Sequence, residues 1–203
     1  MTDKEKIKLI QARVGTTADG IIGPKTLNAI MSALLVANPP AAIEDATDIP
    51  TQAQVRSGKS LFGQPGVEGN LTNIKPPYPL YYEGRQVPSI RVHRAVGDRV
   101  KAAMREILEH YGIEEIHRLG LDIYGGSYNY RTTSSGKAMS MHAWGIALDF
   151  DPEHNAYSTK APQATLSRPD RKAFVDIWEK HGFINLGRHA GYDWMHFQCA
   201  RLS

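Results

Sequence analysis

The chain has one cysteine, Cys199, among 203 residues. That excludes an intramolecular disulfide and any cysteine-rich zinc site. No apolar run approaches the roughly 18 residues of a membrane span, so stable membrane insertion is not expected. Met1 to Gly15 sets charges on both sides of its apolar residues and lacks a signal-peptide core. The expectation is synthesis in the cytoplasm without an export signal. A strong excess of one charge is also missing, with 24 basic against 21 acidic residues and a net charge of +3. This is too little to indicate nucleic acid, although it suits an anionic polymer. There is no His-Glu-x-x-His, which excludes a thermolysin-like helix site. Gly58-Lys59-Ser60 resembles the end of a P-loop, but Ala53 stands where its first glycine is required.

Aromatic residues are absent from the first 61 positions; all three Trp, nine Tyr and five Phe lie from Phe62 onward. This divides the chain. Residues 1–37 read as two short helices around a tight loop. Ile7, Ile10 and Val14 supply one apolar face and Leu27, Ile30, Met31 and Leu34 another. Asp19-Gly20 and Gly23-Pro24 punctuate between them, with Pro24 suited to a first helical position. Residues 38–60 carry Pro39, Pro40 and Pro50 and many alanines, the composition of a linker. Residues 61–203 hold the elements of a larger domain. A helix is predicted from Asp98 to Tyr111, stopped by Gly112. Ser167-Arg168-Pro169-Asp170 has a capping-box pattern and opens a second helix through Phe174, Ile177 and Trp178. Strands are predicted at Leu121–Tyr124, Gly145–Phe150, Phe183–Leu186 and Trp194–Cys199. Without regular βαβ alternation, the class is α+β.

Two segments carry chemistry: Ser140-Met141-His142-Ala143-Trp144-Gly145-Ile146-Ala147-Leu148-Asp149 and Gly191-Tyr192-Asp193-Trp194-Met195-His196-Phe197. A carboxylate on a short apolar strand is costly unless paired or metal-bound, and Asp149 sits there. His142 is seven residues earlier, roughly 23 Å along a straight strand. Sharing an ion therefore needs a turn, and Gly145 is placed to make it. His196 is the one imidazole in a similar Trp-Met-His-Phe run. Two imidazoles and one carboxylate make a three-ligand zinc site with an open fourth position. Asp193 is then placed to act as general base beside the metal without being a ligand. Residue chemistry alone leaves a packed-core reading of each histidine open. His93, His110, His117, His154, His181 and His189 read as structural or exposed, and Cys199 as a packed strand residue.

The pattern Ser-x-His-x-x-Gly-x-Ala-x-Asp followed by Asp-x-x-His resembles the VanY/VanX-type D-alanyl-D-alanine peptidases and their phage relatives, the L-alanyl-D-glutamate endopeptidases. The matching residues are Ser140, His142, Gly145, Ala147, Asp149, Asp193 and His196. The resemblance implies one zinc ion held by His142, Asp149 and His196, with Asp193 as catalytic base. It also implies a small Hedgehog/DD-peptidase-like domain on an antiparallel sheet, preceded by a short all-α module. Gly126-Ser127-Tyr128-Asn129-Tyr130-Arg131 is similar to the family segment with a substrate-binding arginine. Arg131 can grip a carboxylate in two parallel hydrogen bonds or hold an oxyanion. Ser140 is expected to contact substrate or to order the turn before His142. At the N-terminus, Ile10-Gln11 and Asp19-Gly20-Ile21-Ile22-Gly23-Pro24-Lys25-Thr26 resemble a helical peptidoglycan-binding module.

The reading is a monomeric peptidoglycan hydrolase of phage endolysin type: a wall anchor at 1–37, a Pro/Ala linker at 38–60 and a zinc peptidase at 61–203. It would act on the cell wall after release and cut the L-Ala–D-Glu bond of the stem. A D-alanyl-D-alanine carboxypeptidase is the alternative. A non-catalytic wall-binding or virion structural protein is a further one, disfavoured because a structural zinc needs no base and has a closed shell.

Overall fold

The structure is a computed structural model and describes residues 1–23, 25–26, 29–30 and 49–203. The chain divides into two compact units, Met1–Ala41 and Ala42–Ser203. Among the described residues, no helix is long and apolar enough to cross a membrane.

In the first unit, α1 (Asp3–Arg13) starts at Thr2, whose hydroxyl and the Glu5 side chain form a reciprocal capping box. Of the predicted Ile7/Ile10/Val14 face, Ile7 and Val14 are half-buried, whereas Ile10 is 42% exposed. Gln11 is buried. Its amide donates to Asp19 Oδ1 at 2.7 Å, the Ile21 carbonyl at 3.0 Å and Thr26 Oγ1 at 3.1 Å, and its carbonyl accepts from Gly20 N at 2.8 Å. A short aromatic-free segment cannot bury much apolar area, and here a satisfied polar side chain ties the helix to the loop. Pro24, Leu27, Met31 and Leu34 of the predicted second helix lie outside the described residues, as do positions 38–48 of the predicted linker.

The linker expectation fails at its far end. Ile49 and Val55 are buried in the core of the second unit. Gln52–Arg56 forms a helix (α2) capped by Thr51, and Thr51 bridges to Arg201 at the opposite end of the unit. Apolar positions at 49 and 55 are enough to anchor a segment whose prolines suggest a spacer.

Two small antiparallel ribbons follow. Leu71–Ile74 (β1) pairs with Ile90–His93 (β4), and Tyr81–Tyr82 (β2) pairs with Arg85–Gln86 (β3). None of the four was predicted. The long helix α3 (Gly97–Leu119) buries Val100, Ala103, Met104 and Ile107 as expected. Gly112 breaks it rather than ending it: at φ 70 and ψ 161 it kinks the chain, and helix resumes to Leu119.

The main sheet has four antiparallel strands in the order β5-β6-β8-β7: Tyr124–Gly126, Ala147–Phe150, His196–Gln198 and Ile184–Asn185. The predicted strands are all represented, though shortened, and β5 starts at the last predicted residue. Helix α4 (Lys172–Lys180) buries Phe174, Val175, Ile177 and Trp178. The Phe150 ring meets Phe174 and Trp178 at 5.3 Å between centroids and Phe197 at 5.8 Å, fastening the helix to the sheet. The predicted capping box is absent. The Ser167 hydroxyl donates back to the Ala164 carbonyl at 2.6 Å, and Pro169–Arg171 makes a 3-10 turn before α4. Leu186–Ala190 (α5) closes the unit between β7 and β8.

Candidate metal centre

His142 and Asp149 approach through a local reversal. Ser140 starts a 3-10 turn, Met141–Trp144, and its hydroxyl accepts from His142 N at 3.4 Å. Gly145 ends the turn in the left-handed region at φ 71. A Cβ there would lie 2.8 Å from His93 N, so the site requires glycine for both dihedral and space. The chain then enters β6, which delivers Asp149. His196 comes from the neighbouring strand, directly opposite Asp149 in the antiparallel register. Paired residues on adjacent strands share one face of the sheet.

The three side chains are buried, and one ligand atom from each lies within 4.8 Å of the others. His196 Nδ1 is 3.0 Å from Asp149 Oδ1, His142 Nε2 is 3.2 Å from Asp149 Oδ2, and the two nitrogens are 3.1 Å apart. The outer nitrogens fix the tautomers. His142 Nδ1 meets the Ser127 carbonyl, which can only accept, so that nitrogen carries hydrogen. Gln198 uses its amide nitrogen to donate to the Ala200 carbonyl at 2.7 Å, which turns its Oε1 toward His196 Nε2 at 3.1 Å. His196 Nε2 therefore also donates outward. Neutral imidazoles held this way turn two lone pairs and a carboxylate toward one point. Such a concentration of acceptors is tenable only around protons or a cation.

The charge behaviour of these side chains agrees. Burial pushes Asp149 up, yet its hydrogen bonds and attraction to His142 and His196 outweigh that and hold it well below the carboxylate range. Burial pushes His196 down, and the Asp149 hydrogen bond and charge more than reverse it. The pocket therefore favours positive charge at its centre. The nitrogen and oxygen donor set fits zinc, and three protein ligands leave a position open.

Asp193 precedes β8 in a turn closed by His196 N donating to the Asp193 carbonyl at 3.1 Å. Its backbone is left-handed at φ 59, a conformation that Asp tolerates better than most residues. The turn is pinned by Asp193 N to the Tyr157 carbonyl, Met195 N to the Asn155 carbonyl and Asn185 Nδ2 to the Trp194 carbonyl. Asp193 Oδ1 is buried without a hydrogen-bond partner. Burial is the largest influence on this carboxyl and raises its pKa, against lowering contributions from His196, His142 and Arg131. Asp193, His196, Ser140 and Arg131 all line one cleft of about 370 Å³. Arg131 is exposed there, and its Nη1 donates to the Thr132 carbonyl at 3.3 Å.

Among the described residues, no other group of three or more such side chains could hold a metal. His154 pairs with Asp151 at 2.8 Å, His117 with Asp122 at 2.8 Å and His181 with Glu106 at 2.9 Å. Burial pushes the Cys199 thiol up to about 11, which leaves it an inert packed residue. Sequence reasoning missed Gln198 and Asn185. Gln198 was within reach, because positions 196 and 198 of a strand share a face.

Residues 133–199 match a family model described as D-alanyl-D-alanine carboxypeptidase, of the M15 peptidases. The match over that segment supports the VanY-type zinc peptidase family. The protein is thus a metallopeptidase acting on peptidoglycan. Searches of the curated proteins and of the solved structures gave no match.

Proposed function

We propose that the protein is a peptidoglycan endopeptidase that cuts the L-Ala–D-Glu bond of the stem peptide, using one zinc ion held by His142, Asp149 and His196. The observation that carries this reading is the buried, unpartnered Asp193 carboxylate in the same cleft as that donor set and Arg131. When bound, zinc supplies Lewis acidity, which lowers the pKa of water and polarises a carbonyl. Asp193 takes a proton from the attacking water at its carboxylate and returns it to the departing amine. Arg131 holds the α-carboxylate of D-Glu beside the scissile bond, and misplacement of about 1 Å there costs roughly 10²-fold. Ser140 orders the turn that aims His142 and offers the cleft a polar rim. The small sheet bearing these residues is consistent with a Hedgehog/DD-peptidase-like domain.

Lysis in the manner of a phage endolysin follows from the bond chosen. Cutting near the top of a stem frees it from the glycan, whereas trimming a terminal D-Ala leaves the mesh joined. The carboxypeptidase reading has one observation in its favour, the description of the matched family. A terminal D-Ala carboxylate would also satisfy Arg131. Mass spectrometry of digested murein separates the two. New D-Glu amino termini are expected; free alanine from pentapeptide stems without such termini would establish the carboxypeptidase.

The N-terminal unit is proposed as a wall anchor, supported by Gln11, Asp19, Gly20 and Thr26 forming one hydrogen-bonded knot. Deleting residues 1–37 should slow digestion of intact sacculi by lowering effective concentration at the wall. Soluble muropeptides should be cut at the original rate. Equal losses on both would assign the segment to stability of the catalytic unit.

A further inference from the structure

The cleft has a second cation besides Arg131, and both precede the matched family segment. Arg56 ends α2, 77 residues before the match begins at 133. It lines the same cleft as Arg131, Asp193 and His196. Its position is built rather than incidental. Val55 is fully buried beside it, Gln52 N donates to the Arg201 carbonyl at 2.8 Å, and Arg201 Nε donates to the Ile49 carbonyl at 3.0 Å. Arg56 Nε donates to the Met139 carbonyl at 3.1 Å. Met139 is bridged to Thr132, and Ser140 N donates to the Arg131 carbonyl at 3.1 Å. The hairpin that carries Arg131 is thus also the one Arg56 bonds to.

Among the described residues, neither arginine pairs with a carboxylate; their hydrogen bonds go to main-chain carbonyls. Because Arg56 spends only Nε on Met139, its two terminal nitrogens remain available as donors. Two guanidinium groups lining one cleft match a ligand with two separate carboxylates.

We propose that Arg56 is a second carboxylate-binding residue, which makes the enzyme selective for stems whose third residue is a diamino dicarboxylic acid with a free distal carboxylate. This rests on the endopeptidase reading above: with the D-Glu α-carboxylate at Arg131, the next acidic group along the stem falls to Arg56. A site that presents a buried or anchored donor rejects the analogue that lacks the acceptor.

The test compares two tripeptides, L-Ala-γ-D-Glu-diaminopimelate with the main-chain carboxylate amidated in both and the distal carboxylate free or amidated, using the full-length zinc-loaded protein. The wild type should favour the free acid by about 10–100-fold in kcat/KM. In Arg56→Gln this ratio should fall toward one, with the loss expressed in KM rather than kcat, and Arg56→Lys should keep part of it. The ratio is independent of the fraction of active protein, so a partly misfolded variant still gives an answer. A wild-type ratio near one, or an unchanged ratio in Arg56→Gln, overturns the assignment. Product identity in the same digests judges the endopeptidase reading separately. If neither tripeptide is cut, the ratio of Kd values by titration calorimetry decides Arg56 on the same criteria.

Discussion

His196→Ala is expected to lose zinc and activity together. The wild type should retain about one ion per chain through dialysis, and the variant close to none. His142 and Asp149 would remain, but two protein ligands do not make the closed half of a tetrahedral zinc site. The loss also strands Asp149, whose carboxylate is buried and takes one of its two imidazole contacts from His196. A milder change tests the same assignment from outside. Gln198 orients His196 without facing the metal position, and loss of such an outer partner typically costs 10–100-fold in metal affinity. Gln198→Ala should therefore weaken zinc binding in a graded way. Acid should do likewise: the raised His196 pKa means that protons compete for its nitrogen as pH falls through that value, and zinc must displace them. Full zinc occupancy in His196→Ala, measured by elemental analysis, would remove His196 from the ligand set.

The centre was legible because its parts are local. Gly145 between His142 and Asp149 signals a reversal, and one polar residue in each apolar run signals a strand that delivers it. What the sequence does not display is pairing. That Asp149 lies opposite His196 is a matter of register between strands 47 residues apart, set by the packing of Phe150 and Phe197 against α4. The β1–β4 ribbon was missed for a similar reason. Its two strands are four residues each, with Ile74 buried in the first and Ile90, Val92 and His93 in the second, too short for alternation to stand out. The second unit's early boundary was missed because composition counts prolines, whereas docking depends on Ile49 and Val55 finding a hydrophobic site. In the first unit, Ile7 and Val14 of the expected apolar face flank the fully buried Gln11, whose value comes from four hydrogen bonds that periodicity cannot register.

Asp193→Asn should keep the zinc and lose the reaction. The substitution is nearly isosteric, and Asn is at ease in the left-handed conformation that position 193 adopts at φ 59. The turn that carries His196 into β8 uses the Asp193 main chain, with its N–H on Tyr157 and its carbonyl accepting from His196 N. Those bonds survive the change, so the ligand strand keeps its place. What disappears is a carboxylate oxygen that is buried without a partner, the group proposed to take a proton and return it. Removal of a general base costs about 10²–10⁴-fold in rate, or roughly 2.7–5.4 kcal/mol of barrier. The pH profile adds a second reading. Burial raises the Asp193 pKa, and a base works only when deprotonated, so kcat/KM in the wild type should fall as pH drops through a value above the ordinary aspartate range. The residual activity of the Asn variant should lack that limb. Near-normal turnover would end the assignment of Asp193 as base. Loss of zinc from a folded Asp193→Asn protein would instead make the residue a ligand and leave the proton transfer to another group.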